Sequence, residues 1–356
     1  MHFTGKAGSN PKAMRILQKF LRPRSGSLQS LQQGWQKAGW YTRLVRGPNL
    51  LMMIIIMLLM RYALFLPLYN LAGIELQTPH LTFLLILCST VFIAAAGYIL
   101  NDFYDLKIDL LNKPSDRILG RSISATRGLI MVAFFNTLGL ILGLAAAMLS
   151  GRVKLFFLFL LPVMLLYLYS RHWKRRPLTG NLAVAFLSAL LLLIPWLFEV
   201  YIRMDHPESW TAFIRYSGFM NTVTGGFTGF AFLTTWIREM IKDMEDLPGD
   251  KAEGCRTLPI TAGCKTTGRV ISGLLVVTMG WLGIAQFWLY KHGYTESFLY
   301  YFLVQYMFVR LYQIVPEEYD KEALTHASKW AKLIMLAGIL GMATLWAGTG
   351  NDSFPV

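Results

Sequence analysis

Long apolar blocks run through this 356-residue chain and leave little room for any fold but a membrane-embedded helical bundle. A helix crosses the hydrocarbon core of a bilayer with roughly 20 predominantly apolar residues. Blocks of that order lie near 49–73, 81–100, 128–150, 153–170, 181–202, 214–236, 269–290, 297–315 and 329–348. Inside lipid each backbone polar group must be satisfied within its own segment, so helices are the expected form. Hydrophobic residues make up 54% of the chain and charged residues 15%, against about 25% charged in soluble domains. The expected fold is all-α and integral to the membrane, with nine transmembrane helices arranged as two four-helix halves plus one. The sixth block is rich in Gly and Thr, whose small side chains let helices approach closely.

The formal net charge of +14 raises nucleic acid as a partner, but the placement of the cations excludes it. A nucleic-acid face would gather them on one polar domain. Here nine Lys and Arg occupy residues 1–46, which hold no acid. Most of the rest fall near 101–127, 171–180, 237–268 and 316–328. The intervening loops carry Arg152, Lys154, Arg203, Arg215 and Lys291. This alternation follows the positive-inside rule and puts the N-terminus on the cytoplasmic side. Residues 1–46 then form a basic cytoplasmic tail without the apolar core and cleavage site of a secretory signal. Residues 47–350 form the helical domain, and 351–356 a short C-terminal tail. The expected location is the bacterial inner membrane, with the chemistry facing the cytoplasm, where the longer polar loops lie. Three cysteines, Cys88, Cys255 and Cys264, show no metal-binding spacing.

Two of those loops carry the same pattern. The second block runs into Asn101, Asp102, Asp105 and Asp109, and the sixth into Asp243, Asp246 and Asp250. Aspartates at i, i+3 and i+7 share one face of a helix, although in the second set Pro248 and Gly249 are expected to end the helix before Asp250 and leave its direction open. The pattern occurs twice, each time after an even-numbered block, as two related halves would place it. Stacked like charges are unfavourable, more so near lipid. Magnesium removes the conflict: it is a hard cation that takes oxygen ligands, using one or two carboxylates and completing its shell with water and substrate phosphate. Two opposed faces of this kind suit a diphosphate, whose departing charge bound ions would neutralise.

At these residues the chain resembles the UbiA superfamily of intramembrane prenyltransferases. Asn101 to Asp109 with Asn112-Lys113-Pro114 is similar to its first motif, and Lys242 to Asp250 with Gly254 to Pro259 to its second. Arg46-Gly47-Pro48-Asn49, Tyr169-Ser170, Lys174-Arg175 and Pro177 to Asn181 are lesser matches, and the resemblance spans roughly residues 43–348. It implies that Asp102, Asp105, Asp243 and Asp246 bind Mg²⁺, with Asp109 and Asp250 completing the catalytic set. It implies that Asn49 and Asn101 touch the diphosphate or its metals. Lys107, Lys174, Arg175 and Arg256 are cations suited to its phosphate oxygens. Tyr169 either faces a carbocation with its ring or anchors the helix at the interface. The chain departs from the family where Ser115-Asp116 precede Arg117 and Ile118 takes a proline's place, which leaves the phosphate contact open between Arg117 and Arg121.

The implied partners are a polyprenyl diphosphate donor, a lipophilic acceptor and membrane lipid. Arg238 to Asp246 reads most like the branch typified by archaeal digeranylgeranylglyceryl phosphate synthase, so a prenylglyceryl phosphate is the expected acceptor. The alternative is an aromatic quinone precursor such as 4-hydroxybenzoate. A secondary transporter would hold its ion-binding acids at mid-membrane, whereas these lie at span ends. A CDP-alcohol phosphotransferase would carry Asp-Gly and Ala-Arg pairs that this chain lacks. A soluble prenyl-diphosphate synthase would not carry so many spans.

Overall fold

The computed structural model describes residues 38–106 and 118–348. The tail up to residue 37, the segment 351–356 and the site candidates Lys107, Asp109 and Arg117 lie outside the described residues. Among those described, nine long helices follow one another: α1 Gly47–Leu71, α2 His80–Tyr104, α3 Ala125–Leu149, α4 Val153–Arg171, α5 Thr179–Arg203, α6 Pro207–Glu245, α7 Cys264–Lys291, α8 Thr295–Ile314 and α9 Lys321–Gly348. Two short helices, Leu247–Ala252 and Leu258–Thr261, lie between α6 and α7.

Seven of the nine are long and apolar enough to cross a membrane; α6 and α8 are the other two. Gly and Thr dilute the hydropathy of α6, and Tyr, Gln and Arg310 that of α8. Part of that polarity is turned inward, since Thr224, Thr234 and Thr235 of α6 are buried. At the centre of the bundle, 61% of the apolar window of α5 is buried, against 17% for α3. The remaining apolar surface of α3, including Ile130, Phe134 and Ile141, is what a lipid-facing helix presents.

Helix α2 packs on α3 and α4, α5 on α6, α6 on α7, and α7 on α8. Helix α9 packs on α8 and α6 and returns to α1, so the last helix joins the end of the chain to its first helix. A Cβ on Gly338 would stand 2.1 Å from the Phe230 ring, and one on Gly341 2.2 Å from the Tyr301 hydroxyl. Only glycine allows α9 this close. Tyr300 Oη also donates to the Ala337 carbonyl at 2.7 Å. The π-helical turn Met60–Phe65 of α1, which packs on α9, widens the helix around buried Arg61. Arg61 Nη2 donates to the Thr78 carbonyl at 2.9 Å.

A second polar cluster is closed within the core. Arg203, read from the sequence as an outside-loop cation, is instead buried at the end of α5 beside Glu199. Its Nη2 donates to Glu199 Oε1 at 2.6 Å and to the Glu75 carbonyl at 2.7 Å, and its Nη1 to Ser209 Oγ at 2.5 Å. Glu199 accepts further from the Gln77 N–H at 2.8 Å, the Thr78 N–H at 2.9 Å and Thr78 Oγ1 at 2.7 Å. The pair thus clamps the α1–α2 link onto α5 and the first turn of α6.

Candidate active site

Both aspartate motifs end their helices at the same place. Helix α2 closes at Tyr104, and Asp105 takes φ −90° and ψ 0°, its N–H donating to the Asn101 carbonyl at 3.0 Å. Helix α6 closes at Glu245, and Asp246 takes φ −89° and ψ 3°, its N–H donating to the Lys242 carbonyl at 2.9 Å. The single helical face expected from the spacing therefore serves only the first two aspartates of the second motif. Asp250 sits on the new helix Leu247–Ala252. Pro248 explains the break: it has no N–H to continue α6, and at the start of the new helix none is needed. The Asp246 carbonyl starts that helix by accepting from the Gly249 and Asp250 N–H groups, each at 3.1 Å.

The first motif is held by cations and amides. Asp102 Oδ1 accepts from Arg46 Nη2 at 3.0 Å. The Arg46 guanidinium lies over the Tyr98 ring, 5.0 Å from its centroid, and Asn49 lies beside Tyr98. Asp105 accepts from Asn101 Nδ2 at 2.8 Å and is ion-paired with Lys174. Asn101 is buried, and its Oδ1 has no hydrogen-bond partner among the described residues. In the second motif Asp243 Oδ2 accepts from Asn181 Nδ2 at 2.9 Å, Asp246 is half-buried and Asp250 is buried.

Lys174 joins the two motifs. It lies in the turn Trp173–Arg175 between α4 and α5, pairs with Asp105, and its charge also reaches Asp250. Burial opposes its ammonium charge, yet Asp105 and Tyr169 outweigh burial and hold Lys174 above the ordinary lysine range. Burial pushes the Asp250 carboxyl up to about 6; Lys174 opposes this, and the charges of Asp246 and Asp105 add to it. Half-buried Tyr169 on α4 is within electrostatic reach of Lys174, Glu239, Asp105 and Asp243. The Arg175 and Arg256 side chains are exposed, and their backbones are joined, the Arg256 N–H donating to the Arg175 carbonyl at 2.9 Å. Cys255 beside them is buried, which raises its thiol above the usual range.

The turn that carries Lys174 is fixed by backbone contact. Leu178 adopts a positive φ of 62° before α5. A Cβ on Gly180 would stand 2.9 Å from the Trp173 carbonyl oxygen and 3.0 Å from the Lys174 Cα. Gly180→Ala should therefore displace Lys174 and lower turnover about tenfold, with little change in the detergent-extracted yield. Turnover and size-exclusion profiles of the variant check this. Unchanged turnover would mean that the turn does not position Lys174.

Arg46 and Asn181 escaped the sequence reading as site residues. The signal for Arg46 is a cation just before a Gly-Pro helix start, in a left-handed conformation at φ 52°. For Asn181 it is an amide in the first turn of an otherwise apolar helix.

The donor set fits magnesium. Among the described residues no three His, Cys, Asp or Glu are grouped as a closed metal cage. Magnesium bound through one or two carboxylates plus substrate phosphate does not need one. The motif aspartates and asparagines offer carboxylate and amide oxygens, with the buried Asn101 Oδ1 unpartnered among the described residues.

Comparison with known proteins agrees with this arrangement. The sequence pattern of the UbiA prenyltransferase family matches residues 50–336. Digeranylgeranylglyceryl phosphate synthase of Methanobrevibacter smithii is 25% identical over 303 residues, 85% of this chain and 96% of that protein. The enzyme of the same name from Methanothermobacter thermautotrophicus is 28% identical over 243 residues, 67% of this chain and 72% of that protein. A solved structure from work on digeranylgeranylglyceryl phosphate synthase in membranes aligns with a TM-score of 0.60 at 23% identity, covering 88% of this chain and 99% of its own. A UbiA homolog from Archaeoglobus fulgidus bound to GPP and Mg²⁺ aligns with a TM-score of 0.51 at 17% identity, covering 85% and 99%. The two structural likenesses are likenesses of fold.

Proposed function

The chain belongs to the UbiA prenyltransferase family, and from that premise we propose that it transfers a polyprenyl group from its diphosphate to a prenylglyceryl phosphate. The observation that carries this reading is the junction at Lys174, where one ammonium pairs with Asp105 of the first motif and acts on Asp250 of the second. Carboxylates from two helix ends thereby bear on one small polar volume. Relatives named for glyceryl phosphate synthesis support the acceptor. The enzyme is an integral membrane protein. In our reading all nine long helices span the cell membrane, with the N-terminus and the site on the cytoplasmic side, as the Lys and Arg distribution favours.

Asp102, Asp105, Asp243 and Asp246 would hold magnesium, which when bound supplies positive charge against the departing diphosphate. Asp109 and Asp250 complete the two motifs. Asn49, Asn101, Lys107, Lys174, Arg175, Arg256 and either Arg117 or Arg121 present donors to phosphate oxygens. The allylic C–O bond breaks with its electron pair leaving on the diphosphate. The acceptor hydroxyl oxygen then forms the new C–O bond and releases its proton. The apolar bundle keeps water from the carbocation, and Tyr169 turns a π-face toward positive charge.

The test is an assay of the purified chain in nanodiscs with Mg²⁺, labelled geranylgeranyl diphosphate, and either a prenylglyceryl phosphate or 4-hydroxybenzoate as acceptor. Prenylation of the glyceryl phosphate is expected. Removal of Mg²⁺ with EDTA should abolish it, and added Mg²⁺ should restore it. Turnover that survives EDTA would sink the metal assignment, and prenylation of the aromatic acid alone would sink the acceptor.

A further inference from the structure

Cations gather on the side of the site formed by α1, α6 and α9. Lys332, three turns into α9, brings its Nζ to 3.5 Å from Asn49 Oδ1. Helix α9 packs on α6 and α1, which brings Lys332 within electrostatic reach of Arg238, Lys242, Arg46 and Glu239. Glu239 is taken by Arg238, whose Nη1 lies 2.6 Å from its Oε1, and Arg46 is taken by Asp102. Lys242 and Lys332 therefore form no ion pair among the described residues, and the buried Arg238 Nε has no hydrogen-bond partner there. Lys332 is exposed and Lys242 half-buried, so the group is open to a ligand. Lys242 also feels Asp246, which puts the group beside the second aspartate motif.

Lys242 stands in the last turn of α6, where the positive-inside rule already puts cations, whereas Lys332 lies about three turns inside α9. Like charges held together near an apolar bundle are unfavourable until an anion joins them. The diphosphate already has Lys174 across the site. A second anion with two charges would complete the balance, and a phosphate monoester carries them where an aromatic carboxylate carries one.

We infer that Arg238, Lys242 and Lys332 form the subsite for the acceptor's phosphate group. The inference rests on the glyceryl phosphate reading of the acceptor and names the residues that would enforce it. Lys332 enters from the last helix, so α9 both closes the bundle and supplies an acceptor contact.

The experiment compares a prenylglyceryl phosphate with the corresponding prenylglycerol, which lacks the phosphate, in the full-length protein in nanodiscs. Binding of the labelled phosphate acceptor is measured alongside turnover. Lys332→Met and Lys242→Met should each lower kcat/KM for the phosphorylated acceptor about 30-fold, chiefly through KM. Turnover of prenylglycerol should stay within about twofold, the donor KM should not move, and Lys332→Arg should keep most of the activity. Equal losses on both acceptors, or a raised donor KM, would overturn the assignment. A wild-type protein that prenylates the phosphate acceptor with no dependence on Lys242 or Lys332 would sink this inference alone. A wild-type protein that neither binds nor prenylates that acceptor would sink the function reading with it.

Discussion

Asp102→Ala and Asp243→Ala should each lower prenyl transfer by about 10²–10³-fold, and the double variant should be little worse than either one. The single losses follow from removing a group that stabilises charge on the departing diphosphate. Non-additivity follows from the geometry. Asp102 is held by Arg46, and its neighbour Asp105 by Lys174. Asp243 is held by Asn181, and Lys174 acts on the motif it begins. Groups that act as one unit lose most of their effect at the first deletion. Steady-state turnover of the three variants with saturating Mg²⁺ checks this. Two independent sites would instead multiply, giving about 10⁴–10⁶-fold in the double variant.

The largest stability effect should come from the opposite end of α5. Glu199→Ala removes the acceptor for Arg203, for two backbone N–H groups and for Thr78 Oγ1. Both side chains of the pair are almost wholly buried, at 1% and 0% exposure. Deleting one partner of a buried pair leaves the other charge uncompensated, at a cost of about 3–5 kcal/mol. The variant should lose its detergent-resistant fold at markedly lower temperature, whereas the joint change Glu199→Leu with Arg203→Met should recover much of the loss. Thermal unfolding followed by size-exclusion chromatography checks both. An unaltered transition in Glu199→Ala would show that the clamp contributes nothing.

The helices lie where the apolar blocks stand. Each block overlaps one long helix, with ends displaced by a few residues for most. The exceptions have physical causes. The sixth block suggested 214–236, yet α6 runs over Pro207–Glu245, because its polar ends stay helical without being apolar. Likewise α9 begins at Lys321 rather than near 329. Periodicity also cannot show where a helix yields to a cap. The spacing alone reads as one continuous face, whereas Pro248 and Gly249 mark a helix end before Asp250, and the chain does turn there, at Asp246, because Pro248 withholds an N–H. Long-range pairing is invisible to spacing, so Arg46 and Asn181 emerged as site residues only once Asp102 and Asp243 were seen to receive their hydrogen bonds. Buried Arg203 was misplaced because a lone arginine near a span end has the sequence appearance of a loop cation.

The central claim is that both aspartate motifs serve one magnesium-dependent diphosphate site. Equilibrium binding of labelled geranylgeranyl diphosphate to the purified protein, with no acceptor present, tests it most directly. Binding should require Mg²⁺ and should be lost when either Asp105 or Asp243 is replaced by alanine. Tight binding that persists in EDTA, or that survives loss of either motif, would contradict it.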